Sequence, residues 1–345
     1  MIGGAPRRVA PLRRWSWVVL IAAVAGVLFG ARSGGALLGA ATGAATGGLL
    51  SFLEIFALGR STRRALAQLP FAAYFVLRVF IYVAAIVGVN VGFTLLVGGN
   101  PVADNAGGVE SGLVFAMLVA VAVNLFFGVN DLLGPGVLFA FVAGRYRRPR
   151  RETCALLYLD LCGSTRLAES FGEEKFLDLL NAFFADVTDE IAAEGGAIHK
   201  YVGDEVIAVW REGTSAAIPI RACFSARRRL HGRAAAYCAE FGETPTFRAA
   251  IHDGAVVIGE LGAEKKEIAL IGDAMNTAAR ILEAARAARA SVLISADYFA
   301  RMADAPSGLV VERLPPVAAR GKSAPLELVS LGEECDGLST ARRSI

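Results

Sequence analysis

Two aspartates stand where short apolar segments of the chain end. Asp160 closes the apolar run that starts at Cys154, and Asp204 lies in the turn of HKYVGDEVIAVW, between two short predicted strands. If these strands are neighbours in one sheet, their carboxylates converge. Paired oxygen ligands suit Mg²⁺ or Mn²⁺, which keep waters and substrate phosphates as their other ligands. A carboxylate at such a turn could also cap a hairpin, so the pair needs support from elsewhere in the chain.

A second candidate pair lies later in the chain, in GDAMNTAARI. Asn276 and Arg280 are four residues apart, so they project from one face of a predicted helix. A guanidinium placed at developing phosphoryl charge stabilises that charge in a transition state. The alternative is an ordinary surface arginine with an asparagine in a capping position. Together with the two aspartates, the pair favours chemistry on a phosphate ester.

The elements that must position these residues begin at about residue 152, where the pattern becomes strand, helix, strand, strand, helix. The helix before Glu194 has apolar residues at helical spacing that we expect in the core. They are Phe176, Leu179, Leu180, Phe183, Phe184, Val187 and Ile191. The pattern predicts an α+β unit whose βαββαβ core is of the ferredoxin-like or palm type.

Further strands are expected after this core. Residues 246–252 and 255–261 predict a hairpin that turns at Asp253-Gly254, and residues 267–271 predict an edge strand. Strand segments near 291–294, 309–314 and 326–331 complete the unit. The basic helix at about 215–240 carries Arg227, Arg228 and Arg229, which we interpret as a solvated face. No aromatic interleaving accompanies them, so nucleic acid is not an expected partner.

The first part of the chain has the composition of a membrane domain. The whole sequence is 55% hydrophobic, and the long runs with few charges fall within residues 15–143. Four transmembrane helices are predicted, each near the length of about 20 residues that crosses a bilayer. They are 15–31, 34–58, 71–98 and 112–130. The predicted organisation is therefore an α-helical multi-span membrane domain at 1–143, a basic linker at 144–151, a catalytic domain at 152–332 and a tail at 333–345.

Basic residues predict the orientation. Arginines cluster before the first span, between the second and third spans, and after residue 144, whereas the other loops have few. The N-terminus and the second domain are therefore expected in the cytoplasm. All five cysteines lie after residue 144, in the part outside the predicted membrane domain, and no two have CxxC spacing, which suits a reducing compartment without a disulfide framework. No histidine precedes His199, so the membrane part cannot ligate a haem through two histidines.

Four motifs together carry a family resemblance. LLYLDLCGST, HKYVGDEVIAVW, GDAMNTAARI and ARGKSAPLELVSL occur in this order between about residues 152 and 332. In order and spacing they resemble a class III adenylate/guanylate cyclase catalytic domain. A diguanylate cyclase also has a GDE hairpin, but Val202 and Val206 occupy the flanks where that family has glycine and phenylalanine, and Asn276 and Arg280 would have no role.

The resemblance implies roles for individual residues. Two metal ions, Mg²⁺ or Mn²⁺, would bind Asp160, Asp204 and the carbonyl of Leu161. Asn276 would orient the ribose, and Arg280 would stabilise the transition state. The substrate would contact the base-reading Lys200, the phosphate-binding Lys322, and the backbone N–H groups of Gly163, Ser164 and Thr165.

The sequence departs from the family pattern at the base-reading position seven residues before Asn276. Adenylate cyclases usually have Asp or Thr there and guanylate cyclases Cys, but this chain has Ala269. Lys200 favours adenine, since guanylate cyclases usually have Glu at that position. Guanylate cyclase and a non-catalytic nucleotide-binding receptor remain alternatives.

The resemblance also implies an assembly and a location. In this family the metal-binding aspartates and the Asn/Arg pair belong to opposite protomers, so we expect a head-to-tail homodimer with shared active sites. The substrate would be ATP, converted to 3′,5′-cyclic AMP and pyrophosphate. The expected location is the bacterial inner membrane, with several spans in the lipid bilayer.

Overall fold

The structure, a computed structural model, describes residues 23–24, 27, 36–53, 69–96, 98, 109–133, 144–264, 266–302, 308–317 and 325–333. The chain divides into two compact units, Met1–Leu138 and Phe139–Ile345. Each unit is described by itself below.

The first unit is helical where it is described. Its helices are α1 (Ala36–Phe52), α2 (Phe71–Leu96) and α3 (Val109–Leu133), which fall on the predicted spans 34–58, 71–98 and 112–130. Among the described residues, one helix, at Ala72–Leu96, is long and apolar enough to cross a membrane, and Met117–Phe126 is a shorter apolar stretch. A single helix of this kind does not establish a multi-span domain, which stays a prediction. Most of span 15–31 lies outside the described residues.

Polar contacts within this unit join its helices. The Asn124 side chain of α3 donates a hydrogen bond to the Phe75 carbonyl of α2 at 3.0 Å. The buried Arg78 guanidinium donates to the Tyr82 hydroxyl one turn further along α2, also at 3.0 Å. Asn124 and Arg78 are each only 2% exposed, so these contacts satisfy polar groups that would otherwise be costly to bury.

The second unit is built on an eight-stranded sheet in the order β2-β3-β1-β4-β6-β8-β7, with β5 paired to β4. The strands are β1 (Arg150–Leu161), β2 (Ala197–Val202), β3 (Glu205–Arg211), β4 (Phe247–Leu261), β5 (Glu267–Ile271), β6 (Val292–Ser295), β7 (Leu309–Arg313) and β8 (Leu328–Glu333). The helices are α4 (Ser164–Phe171), α5 (Glu173–Ala193), α6 (Ala217–Gly232), α7 (Ala234–Phe241), α8 (Asp273–Ala288) and α9 (Ala296–Ala300). The predicted α+β class is confirmed.

Strand β1 is buried on both faces, which explains its continuous apolar sequence. Leu157 and Leu159 face one hydrophobic core, and Leu156 and Tyr158 face the other, as the two-residue period of a strand requires. The first core contains α5, and its residues Leu179, Leu180, Phe183, Val187 and Ile191 are buried as predicted, while Phe176 and Phe184 pack against it in part. The second core contains α8 and receives Ile268 and Leu270 of β5.

The predicted hairpin with its turn at Asp253-Gly254 is wrong. β4 runs without a break through these residues, because β1 pairs with it along its length, with Ala155 opposite Asp253 and Cys154 opposite Gly254. The glycine instead permits close packing, since a Cβ at Gly254 would lie 2.8 Å from the Ala274 Cβ of α8. A Gly in a strand can mark a close approach as well as a turn.

The arginines at 227–229 are not a simple solvated face. Arg229 pairs with Asp186, Asp189 and Glu190 of α5, and Arg228 with Glu333 of β8. Asp186 is fully buried and also accepts hydrogen bonds from Arg233 and Tyr237. Burial raises the pKa of Asp186, but these hydrogen bonds outweigh it and hold the pKa below its usual value. Arg229 therefore joins α6 to α5 and Arg228 joins α6 to β8, while Asp186 also connects α5 to α7 through Tyr237.

Candidate active site

The two aspartates lie at adjacent strand ends, as the sequence predicts. Asp160 is the residue opposite Glu205 in the antiparallel pairing of β1 with β3. The N–H of Leu161 donates a hydrogen bond to the Asp204 carbonyl at 3.3 Å. Gly203 has a φ of 60° at the first central position of the two-residue turn between β2 and β3, where glycine is favoured in hairpins. The turn thus brings Asp204 to the end of β1.

The guanidinium of Arg286, in α8, donates two hydrogen bonds to the carboxylate of Asp160. Its Nη2 lies 2.7 Å from Asp160 Oδ1, and its Nε lies 3.1 Å from Oδ2, a two-pronged contact. The Asp160 side chain is only 4% exposed, whereas that of Arg286 is 47% exposed. This hydrogen-bonded pair raises the pKa of Arg286. Sequence reasoning missed Arg286, because the two residues are 126 positions apart and no motif joins them.

Glu205 shares the same electrostatic environment. Burial raises its pKa to about 7, the charges of Asp160 and Asp204 push it the same way, and Arg286 opposes them. The negative charges of both aspartates therefore act on Glu205, a residue that the sequence analysis did not single out. The only feature of the sequence that indicates a role for Glu205 is its position directly after Asp204.

These residues fit a hard divalent cation. Asp160 and Asp204 offer carboxylates, and the guanidinium already bound at Asp160 shows that this position holds a positive charge. Among the described residues there is no group of three or more His, Cys, Asp or Glu side chains arranged to hold a metal ion by themselves. An ion such as Mg²⁺ takes waters and substrate phosphates as its remaining ligands, so two carboxylates are enough protein ligands for it.

The small-residue turn after β1 leads directly into a helix. Gly163, with a φ of 72°, precedes α4, and its carbonyl accepts from the N–H of Leu167. The first N–H groups of a helix, here those of Ser164 and Thr165, have no partner within the helix. They are available to an anionic group at this end, as the predicted phosphate role requires.

Lys200 contacts strand β5 two residues before Ala269. Lys200 lies at the edge strand β2, opposite Ile207, and its Nζ lies 3.4 Å from Oε1 of Glu267 in β5. Ala269 is two residues further along β5 and pairs with Gly259. Glu267 was not singled out in the sequence, and its only signal is its position two residues before Ala269.

Asn276 and Arg280 lie on α8, the helix that also carries Arg286. Asn276 is exposed on the first turns of α8, and Arg280 is half-buried. The Nη1 of Arg280 is buried and has no hydrogen-bond partner among the described residues. No hydrogen bond or ion pair in the described part of the chain joins Arg280 to Asp160 or Asp204. Lys322, the predicted phosphate-binding lysine, lies outside the described residues.

A cleft of about 410 Å³ opens beside the start of α8. Its lining includes Arg151, His252, Ile271 and Asp273, and it contains none of the predicted site residues. Its size is in the range of small-molecule sites, but the chemistry identified above lies elsewhere.

Comparison with known proteins identifies the family. Residues 146–324 match the model of the adenylate and guanylate cyclase catalytic domain. This match covers more than half of the chain, so the protein belongs to that family, as its four motifs predict.

Individual relatives extend the comparison. The chain is 34% identical to "Adenylate cyclase 2" of Rhizobium meliloti over 221 residues, which is 64% of this chain and 61% of that protein. It is 32% identical over 177 residues to an uncharacterised protein of Mycobacterium tuberculosis, covering 49% of this chain and 32% of the other. A bacterial light-regulated adenylyl cyclase has a similar fold, with a TM-score of 0.54, 18% identity and 63% of each chain covered. The chain thus spans less than two thirds of the curated relatives named here.

Proposed function

We propose that the protein is a membrane-anchored adenylate cyclase that converts ATP to 3′,5′-cyclic AMP and pyrophosphate. The observation that carries this is the meeting of Asp160, Asp204 and the Leu161 backbone where β1 ends beside the β2–β3 turn, next to a helix start that can receive phosphate. The relative named "Adenylate cyclase 2" supports adenylate specificity. Lys200 supports it as well, since an ammonium donates to the acceptor N1 of adenine.

In this proposal Asp160, Asp204 and the Leu161 carbonyl hold two Mg²⁺ or Mn²⁺ ions. Bound ions of this kind lower the pKa of the attacking 3′-hydroxyl and neutralise the departing pyrophosphate. Asn276 orients the ribose, and Arg280 places a guanidinium at the charge that develops on the α-phosphate. Lys322 and the N–H groups at Gly163, Ser164 and Thr165 hold the terminal phosphates.

The catalytic unit would act as a head-to-tail homodimer. The buried Nη1 of Arg280 has no hydrogen-bond partner among the described residues, which supports a site completed by a second copy. Exposed apolar side chains also lie on β2 and the β4–β5 hairpin, where a monomer would leave them in water: Tyr201, Val202, Val257, Leu261 and Ile271. The anchor would be the helices of the first unit, including Ala72–Leu96, with the catalytic unit in the cytoplasm at the bacterial inner membrane.

Guanylate cyclase activity is the second candidate, because Ala269 removes the polar side chain that reads adenine in the family pattern. The deciding experiment incubates the purified full chain with ATP or GTP and Mn²⁺ and measures cyclic nucleotides. We expect cyclic AMP as the main product, and a loss of about a hundredfold or more in kcat for Asp204→Ala. The matched control, Asp178→Ala, removes an exposed aspartate of α5 and should have no effect. Cyclic AMP formation that persists in Asp204→Ala would refute the metal assignment, and cyclic GMP as the main product would refute the adenylate assignment.

A further inference from the structure

The pair formed by Lys200 and Glu267 has no role in the family pattern described above. The two side chains are 48% and 45% exposed, and 3.4 Å separates Nζ from Oε1. A half-exposed ion pair of this kind contributes little to fold stability. Because Lys200 is the proposed base-reading residue, the position of Glu267 beside it indicates a role in substrate binding instead.

The strand geometry places Glu267 on the same face of β5 as Ala269, which has no polar side chain to read the base. Ile268 and Leu270 of β5 pack against the second core. Glu267 and Ala269 alternate with them and therefore share the opposite face of the strand. Residues two apart on a strand are about 6.6 Å apart, a distance that the longer glutamate side chain can span toward a group lying over Ala269. The methyl group of Ala269 leaves that space open.

We propose that Glu267 is a specificity-determining residue of the purine subsite, where it orients Lys200 and accepts a hydrogen bond from the exocyclic amine of adenine. This inference rests on the proposed function. An ammonium only donates hydrogen bonds and a carboxylate only accepts them. Adenine presents one ring-nitrogen acceptor, N1, next to one amine donor, N6, so the Lys200–Glu267 pair matches its edge. One oxygen of Glu267 holds Lys200, and the other is directed to the amine.

The test compares ATP with purine riboside 5′-triphosphate, which has hydrogen in place of the 6-amino group. In the wild-type chain we expect kcat/KM for ATP to exceed that for the analogue by about tenfold or more, as a site built around a hydrogen bond discriminates against a substrate that lacks it. Glu267→Ala should abolish this ratio through a higher KM for ATP, with kcat changed much less. Glu267→Gln keeps an acceptor oxygen and should retain part of the preference.

A matched control comes from the same hairpin. Glu260 forms an ion pair with Lys266 at 3.6 Å, and Glu260→Gln should leave the ATP preference unchanged. Equilibrium binding of 3′-deoxyATP, which cannot cyclise, gives a readout that is independent of turnover. Glu267→Ala should weaken it about tenfold, and the unfolding midpoint of this variant should match that of the wild type, which shows that the weaker binding does not come from a loss of fold stability.

The outcomes separate this inference from the proposed function. Cyclic AMP production with an ATP-to-analogue ratio unchanged in Glu267→Ala would overturn the role of Glu267 alone. A wild-type chain that forms no cyclic nucleotide and binds no purine nucleotide would overturn the proposed function, and the subsite with it. Loss of the preference in Glu260→Gln to the same extent would attribute the effect to the hairpin fold and overturn the specific role.

Discussion

At Asp160, the ion pair seen in the structure conflicts with the proposed role of the same carboxylate as a metal ligand. A carboxylate that is 3% exposed is costly to ionise unless a cation compensates it. Arg286 provides that compensation with two hydrogen bonds, but it does so on the oxygens that a metal ion requires. A metal ion that binds Asp160 as proposed would have to displace the guanidinium of Arg286, whose side chain is 47% exposed.

Substitution of Arg286 measures this competition. In Arg286→Gln the carboxylate no longer has its internal cation, so we expect Mn²⁺ to bind the full chain about tenfold more tightly, the equivalent of about 1.4 kcal/mol. The electron paramagnetic resonance signal of free Mn²⁺ measures this affinity without turnover. Arg289→Gln, which removes an exposed charge near the end of the same helix, is the control. Unchanged or weaker Mn²⁺ affinity in Arg286→Gln would show that the ion pair does not compete with metal.

The site was predictable at the residue scale where local rules apply. A strand end and a tight turn follow from a few neighbouring residues, so the positions of Asp160 and Asp204 within their elements could be predicted, and their proximity then required only that β1 pair with β3. Arg286 and Glu267 could not be predicted in this way, because their contacts depend on how α8 and β5 fold back over the sheet. Glu205 directly follows Asp204 in the sequence, but its raised pKa depends on burial and on charges from three other parts of the fold, which the sequence does not show.

At the scale of elements, the largest difference concerns where the catalytic unit begins. The sequence predicts a basic linker at 144–151, but β1 starts at Arg150, and Tyr146 is packed into the second core at 6% exposure. The Tyr146 carbonyl accepts from the N–H of Glu260, and its hydroxyl accepts from Arg211. An arginine-rich composition does not reveal that an aromatic residue within it is buried. The contact with Glu260 ties this segment to the hairpin that carries Ala269.

Truncation tests whether residues 144–149 belong to the catalytic unit. A chain of residues 150–345 lacks Tyr146, and loss of a buried aromatic side chain costs about 3 kcal/mol. We expect its unfolding midpoint to fall by about 6–12 °C relative to a chain of residues 144–345. Circular dichroism during heating measures the difference. Tyr146→Phe in the longer chain keeps the ring and should lower the midpoint much less, whereas equal midpoints for the two truncated chains would show that the segment adds nothing to the fold.

At the scale of the whole molecule, the site residues fall into two groups. Asp160, Asp204, Glu205 and Arg286 form one, and Lys200, Glu267 and Ala269 form another. Within α8, Arg280 lies six residues before Arg286, about 9 Å along the helix axis. The sequence motifs predict that Asp160, Asp204, Lys200 and Arg280 belong to one reaction. A motif does not show which copy of the chain supplies each of these residues.

Co-expression of two inactive full-length variants tests the shared site. Asp160→Ala and Arg280→Ala each disable both sites of their own homodimers, but a mixed head-to-tail dimer keeps one intact site. With equal expression and random pairing, half of the dimers are mixed, so about a quarter of the wild-type activity should return. Cyclic AMP production by the membranes measures this recovery. Co-expression of Asp160→Ala with Asp204→Ala is the control and should restore nothing, because both changes damage the same half of the site in each copy. Mixed dimers isolated through two different tags, yet inactive for the first pair, would show that each chain completes its own site.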